Sequence, residues 1–221
     1  MTGIGLDAFI HTPTGRQHTQ ASVTSPNNRS NRSAWVTADR SRSKPRDFML
    51  AWGLDVTHVD AHMGTAAHPR YLPDLLELAL TQGLPPLFPR QTAADWQAAG
   101  LTGEDARQAE QTTFQLEERG VPLVDHLRML PLDVGGDHAA LTRQMLRDLP
   151  PGITHFILHP AHDTPELRAI CGDWPARVAN YHALMDPALR RDVQNLGIQV
   201  IGYRPLRDLL RQRMAAGEVK P

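Results

Sequence analysis

Residues 121–160, VPLVDHLRMLPLDVGGDHAALTRQMLRDLPPGITHFILHP, decide the fold class. VPLVDHL (121–127) has the pattern of a strand, and DHAALTRQMLRDL (137–149) has the pattern of a helix. ITHFILH (153–159) is apolar and β-branched enough for a buried strand. A strand, a helix and a second strand in this order predict a parallel βαβ unit.

The same alternation of strands and helices continues on both sides of this stretch. We expect further strands over 56–62, 83–90 (GLPPLFPR, short and broken by prolines) and 198–203, and helices over 71–83, 103–120, 186–197 and 205–217. The sequence thus predicts about five strands in all, whereas a closed β/α barrel has roughly eight. The sequence therefore predicts an α/β fold, either a partial (β/α) barrel or an open doubly wound sheet.

The first 47 residues differ in composition from the rest of the chain. Residues 11–47 hold too few apolar side chains to bury a face, which is typical of a disordered segment. The stretch 29–46 is strongly basic, so it could contact phosphates, although a solvated tail is the preferred interpretation. We predict a polar, disordered or aberrant arm over 1–47, and an incomplete β/α domain over 48–221.

Overall composition excludes several classes of protein. The formal net charge is −1, which favours neither nucleic acid nor an anionic membrane as the main partner. No apolar run approaches the roughly 20 residues of a transmembrane helix. Cys171 is the single cysteine, so no disulfide within the chain can form, and we expect a cytoplasmic protein.

The run THVDAHMGT (57–65) is the first candidate site. Because side chains alternate along a strand, His58, Asp60 and His62 are expected on one face, with Val59 and Ala61 on the other. Three such groups on a buried face need polar partners, and a divalent metal is a natural one, although the spacing alone does not favour it over hydrogen bonds. A hydrogen-bonded polar strand end without metal is the alternative.

The run GITHFILHPAH (152–162) is the second candidate site. His155, Ile157 and His159 are expected on one face, and Pro160 ends the strand. His159 would then lie at the carboxyl end of a strand, where β/α folds carry their chemistry. Its pKa range suits general acid catalysis, whereas the alternative is a core histidine bonded to a main-chain carbonyl.

Other chemistries find little support in the sequence. It contains neither a GxSxG nucleophile elbow nor a glycine-rich phosphate loop. Cys171 stands beside Gly172 and Asp173 without an evident partner, and we interpret it as a packing residue. His162 and Asp163 follow the second run and are interpreted as loop residues.

Several segments in order resemble the YdjC-like carbohydrate deacetylases, also called the ChbG/HpnK family. GLDVTHVDAHMGT is similar to the family's strand with the pattern THxDSHxG, and GITHFILHPAH is similar to its histidine-proline strand. GLPPLFPR and DPALRRDVQNLGIQVIGYRPLRDL also match in position, so the resemblance covers about residues 50–212. It implies a barrel of the polysaccharide-deacetylase (TIM-like) type.

The resemblance also implies an activity and its residues. Members remove acetyl groups from N-acetylated sugars with a divalent cation, Mg²⁺ or alternatively Zn²⁺, held by one aspartate and two histidines. His62 matches the second metal histidine, and His159 matches the histidine that protonates the leaving amine. His58 and Asp60 are supporting candidates on the strand of His62. The expected partner is a small carbohydrate, and the chain could also form a homo-oligomer.

Two family segments have no counterpart in the sequence, namely an opening strand with an Asp-Asp pair and a Gly-x-His-Leu strand. On this interpretation one metal ligand of three is present and the general base is not, so activity is expected to need a partner that completes the barrel. The alternatives are a non-catalytic remnant that binds sugar or protein without a cation, and an unrelated metal-dependent hydrolase such as a phosphoesterase.

Overall fold

The structure is a computed structural model that describes residues 8–12, 34–35, 53–61, 68 and 70–219. This part of the chain combines strands and helices, which agrees with the predicted α/β class. The strands are β1 (Ala8–Thr12), β2 (Ala34–Trp35), β3 (Val59–Asp60), β4 (His126–Met129), β5 (Gly152–Ile157) and β6 (Gln199–Ile201). The helices are α1 (Leu72–Thr81), α2 (Ala93–Ala98), α3 (Gly103–Glu118), α4 (His138–Arg147), α5 (Pro165–Ile170), α6 (Trp174–Met185), α7 (Pro187–Asn195) and α8 (Arg204–Ala215).

The larger sheet contains the predicted βαβ unit. Its strand order is β4-β5-β1-β6, and β4 runs parallel to β5, with His126 opposite Thr154 and Met129 opposite Ile157. Helix α4 forms the crossover between these two strands. The described strands form this sheet and the two-stranded sheet β2-β3, so a closed barrel is not seen in the described residues.

Strand β1 is a departure from the predicted all-parallel arrangement. It lies between β5 and β6 and is antiparallel to both, with Phe9 opposite His155 on one side and Ile201 on the other. The sequence predicted no strand in the first 47 residues, whereas β1 and β2 lie there. A strand that is not held by a short crossover helix can pair in either direction, because only the crossover enforces the parallel one.

The described residues fall into two compact units. The first unit comprises β1 and Asp125–Gly202, and the second comprises residues 34–35, 53–124 and 203–219 as far as they are described. The boundary predicted between residues 47 and 48 lies outside the described residues. None of the described helices is both long and apolar enough to cross a bilayer.

The core of the first unit lies between the sheet and its crossover helices. Its buried residues are Leu130, Leu146, Phe156, Leu158, Leu189 and Ile198. Arg143 of α4 donates hydrogen bonds to two carboxylates of the α7 segment, Asp186 and Asp192, and thereby joins the two helices. Asp186 also caps α7 by accepting a hydrogen bond from the Ala188 N–H group.

In the second unit, short extended segments lie side by side in the parallel direction. The Val59 N–H group donates to the Pro85 carbonyl at 3.1 Å, and Leu87 N–H donates to the Val59 carbonyl at 2.7 Å. A parallel bridge then pairs Pro89 with Val124. The predicted short strand over 83–90 is therefore reduced to isolated bridges, since proline has no N–H group to donate to a ladder. Around these bridges, α1, α3 and α8 contribute buried residues to the core of this unit, among them Leu80, Leu116 and Leu210.

Candidate functional site

Strand β5 brings one predicted site residue to the carboxyl end of the parallel pair. Phe156 and Leu158 point into the core of the first unit, and His155 is only 1% exposed. The strand ends at Ile157, and His159 follows two residues later, half-buried. The position of His159 thus agrees with the expectation that it leaves the strand at the carboxyl end.

The loop that carries His159 is fixed to helix α6 through its main chain. The His159 N–H group donates to Asn180 Oδ1 at 3.3 Å. Two residues on, the Ala161 N–H group donates to the Arg177 carbonyl at 3.1 Å. Because both bonds involve the main chain of the loop, they hold its path without occupying the imidazole of His159.

A buried polar network continues from Asn180 to the preceding crossover. Asn180 is fully buried, and its Nδ2 group lies 2.8 Å from the Ala176 carbonyl and 2.9 Å from His138 Nδ1. His138 Nε2 lies 2.9 Å from the Val134 carbonyl, in the loop between β4 and α4. A carbonyl accepts only, so Nε2 carries the proton of His138, and Nδ1 accepts from the Asn180 amide.

The outer part of the loop after β5 carries aromatic and charged groups. The ring of His162, which is exposed, packs against Tyr181 with 4.2 Å between centroids. Asp163 accepts two hydrogen bonds of 2.6 Å from Arg168, and these bonds lower the pKa of the Asp163 carboxyl. Arg168 also lies over the ring of Trp174 at 4.6 Å. His162 and Asp163 are loop residues, as the sequence indicated, and their side chains contact neighbouring groups.

Cys171 has a partner that the sequence did not reveal. Its Sγ donates to Asp173 Oδ1 at 2.9 Å, and Arg177 donates to both oxygens of the same carboxylate. The Arg177 guanidinium is the main cause that lowers the pKa of Asp173 to about 2. In turn the hydrogen bond to this carboxylate, followed by burial, raises the pKa of the Cys171 thiol. A thiol in this state is a poor nucleophile, which agrees with a structural role.

The other predicted site residues belong to the second unit. Val56, His58 and Val59 are all buried, whereas Asp60 and Ala61 are both half-buried. Burial does not alternate along this run, so the predicted assignment of the two faces stays a prediction. His62 lies outside the described residues, so its place in the set with His58 and Asp60 stays a prediction.

The surroundings of His58 are those of a packed side chain. Its imidazole stacks on the Tyr203 ring with 3.8 Å between centroids and 9° between planes, and its Nδ1 lies 3.1 Å from Thr57 Oγ1. Nearby in the chain, Asp55 pairs with Arg204 and Arg207 at the start of α8. His58 therefore connects the strand of the predicted metal site to the residue that precedes helix α8.

The described residues do not assemble a metal centre. Among them, no three histidine, cysteine, aspartate or glutamate side chains lie close enough together to hold an ion. His58 and Asp60 belong to one unit and His159 to the other. The fit of a cation thus depends on His62 and on residues beyond those described.

Two residues near the candidate site were not found from the sequence, namely His138 and Asn180. Helix α6 was not among the helices predicted from the sequence. One signal was present: Asn180 shares the buried face of α6 with Ala176 and Ala183. A polar amide on an apolar helical face costs free energy unless it is hydrogen-bonded, so it indicates a defined partner.

Comparisons with known proteins agree with the resemblance of the two histidine runs. The model of the family described as YdjC-like protein matches residues 46–195, which is more than half of the chain. A curated protein of Thermus thermophilus named carbohydrate deacetylase is 32% identical over 135 residues, which are 61% of this chain. The match spans 47% of that relative, about half of its length. On this evidence the chain belongs to the family of YdjC-like proteins.

Proposed function

We propose that this protein takes part in the hydrolysis of the acetamide group of N-acetylated oligosaccharides, with His159 as the general acid. The observation that carries the proposal is the position of His159 at the carboxyl end of β5, on a loop whose main chain is fixed to α6. The name of the Thermus thermophilus relative, carbohydrate deacetylase, supports the class of substrate.

The proposed chemistry assigns one proton transfer to this chain. Water adds to the amide carbonyl and gives up one proton to a general base, and the C–N bond of the resulting tetrahedral intermediate then breaks. The amine nitrogen must gain a proton as this bond breaks, because an amide anion is too basic to leave in water. His159 would donate that proton, a step for which an imidazole is suited near neutral pH.

We further propose that a divalent cation, Mg²⁺ or alternatively Zn²⁺, binds at His62 with His58 and Asp60 in supporting positions. When bound, such a cation polarises the amide carbonyl and lowers the pKa of water. Carboxylates suit Mg²⁺ better than imidazoles do, so Asp60 is the most relevant of these residues for that ion. Because His58 stacks on Tyr203, its contribution would be to orient the strand rather than to bind.

The proposed fold around this chemistry is part of a β/α barrel. The parallel pair β4-β5 with its crossover α4 supports this proposal in the first unit. The parallel bridge from Val59 to Pro86 supports it in the second.

Acetate release from N-acetylated chitooligosaccharides, with added Mg²⁺ or Zn²⁺, tests the activity. We expect His159→Ala and His62→Ala to lower turnover by at least about a hundredfold, on the scale of lost acid catalysis. His182→Ala is the matched control, because this exposed histidine of α6 bears no proposed role. Equal turnover in His159→Ala and in the control would remove the acid assignment.

A second candidate, binding of sugar without catalysis, is favoured by a groove in the second unit. It has a volume of about 480 Å³ between α1 and α3, with Leu72 and Leu76 on one side and the amides of Gln108, Gln111 and Gln115 on the other. Side-chain amides can both donate to and accept from sugar hydroxyls. Calorimetric binding of the same oligosaccharide, lost in Gln111→Ala while no acetate is released, would favour this candidate.

A further inference from the structure

We propose that Asn180 and His138 are positioning residues for His159, an inference that rests on the proposed function of His159 as the acid. The network joins the loops that follow two neighbouring parallel strands, β4 and β5. It begins at the Val134 carbonyl, passes through both side chains, and ends at the His159 N–H group. In parallel β/α structures these loops carry the reacting groups.

The Asn180 amide is oriented by all of its partners together. Its Oδ1 faces the N–H donor of His159, while its Nδ2 faces the Ala176 carbonyl and His138 Nδ1. A flipped amide would place an oxygen against the Ala176 carbonyl and an NH₂ group against an N–H donor. The orientation is therefore determined by hydrogen bonding.

The His138 imidazole is committed to this network. It is 3% exposed, and both of its ring nitrogens have partners, Val134 on one side and Asn180 on the other. An imidazole with both nitrogens engaged and almost no solvent contact is poorly placed to exchange a proton with a substrate. His138 thus supports the site through Asn180, whereas His159 joins the network through its main chain.

The cost of burying Asn180 also indicates that its amide has a specific task. It lies in the middle of α6 with no exposure, between Ala176 and Ala183 on the same buried face. A leucine at this place would have no polar group to satisfy. What the amide adds is a partner for the His159 N–H group, which lies beyond the end of the β5 ladder at Ile157.

Amide hydrogen exchange of the full chain tests the inference without requiring activity. In Asn180→Ala we expect exchange of the His159 N–H group to accelerate on the order of fivefold to tenfold, the scale of one net hydrogen bond. The amides of β5 (Gly152–Ile157) should keep their rates, and Asn195→Ala is the matched control at the exposed end of α7. His138→Gln retains a donor and an acceptor and should show a smaller acceleration than His138→Leu.

Turnover provides the second measurement, because a merely structural role of Asn180 would predict a different result. In a preparation that releases acetate, Asn180→Ala should lower kcat on the order of tenfold with KM within about twofold, because the acid is misplaced while substrate contacts stay. An unchanged His159 exchange rate, or an equal acceleration across β5, would overturn the inference, as would an unchanged kcat. If the unaltered chain releases no acetate either alone or with a partner that completes the barrel, the proposed function fails, and hydrogen exchange still decides whether Asn180 holds His159.

Discussion

Among the glycines that the structure describes, Gly152 at the start of β5 is the one where an added methyl group should be most damaging. Its φ is +129°, a backbone conformation that residues with a side chain rarely adopt. A Cβ atom there would lie 2.7 Å from Asp125 Oδ2 and 3.1 Å from the Cβ and Cγ atoms of Asp125. The same Asp125 Oδ2 accepts a hydrogen bond of 2.7 Å from the Ile153 N–H group. A side chain at residue 152 would therefore strain the main chain and displace the carboxylate.

Two contributions determine the expected cost of Gly152→Ala. A residue other than glycine in such a conformation costs about 1–3 kcal/mol. Loss of a hydrogen bond to a charged group costs about 1.5–3 kcal/mol. We expect the free energy of unfolding to fall by about 3 kcal/mol or more, which is a large fraction of the stability of an ordinary domain.

Urea denaturation of a double-mutant cycle separates these contributions. Asp125→Ala alone removes the hydrogen bond, so Gly152→Ala in that background should cost only the strain, and the two changes should be non-additive by about 1.5–3 kcal/mol. Gly135→Ala is a control without strain, and Gly197→Ala is a control with a φ of +67° but nothing within 4 Å. Additive effects, or a Gly152→Ala protein within about 0.5 kcal/mol of the unaltered one, would refute the reasoning.

Three other predictions concern stability. Leu80→Ala should lower the free energy of unfolding by about 2–5 kcal/mol, because Leu80 is 1% exposed and lies in the core of the second unit. Leu209→Ala, at a residue 39% exposed, should cost much less, and equal urea midpoints for the two variants would contradict this core assignment. Thr92→Ala should cost about 1 kcal/mol, seen as a lower midpoint in the same titration, since it removes a capping box. The pKa of Asp173 is lowered from 3.8 to about 2, mainly by Arg177, so its stabilising effect is present above the pKa of 3.8 and is lost as the pH falls through 2. Between pH 3.8 and pH 2, Tm should therefore decline less steeply in Asp173→Asn than in the unaltered protein. The difference should correspond to about 1 kcal/mol at most, because the Asp173 side chain is 30% exposed. Parallel declines of Tm in the two proteins would contradict the prediction.

The helices that the sequence predicted well are those with strong local signals. The predicted helix over 103–120 is observed as Gly103–Glu118, and the one over 137–149 as His138–Arg147. Both begin after a residue whose side chain caps the first turn, Thr102 and Asp137, and such signals are local in the sequence. The strand predicted over 121–127 is observed at His126–Met129 instead, because pairing with β5 determines which residues of an apolar run form the ladder.

The sequence by itself determined the mixed α/β class, the βαβ unit and the position of His159 at a strand end. These follow from periodicity and from residues adjacent in the chain, which act through local main-chain geometry. Only the tertiary structure decided that β1 joins the sheet in the antiparallel direction, that His58 stacks on Tyr203, and that Asn180 accepts a hydrogen bond from the His159 N–H group. Each of these depends on groups far apart in the chain, and such contacts form because they satisfy buried polar groups or main-chain edges that no local pattern encodes.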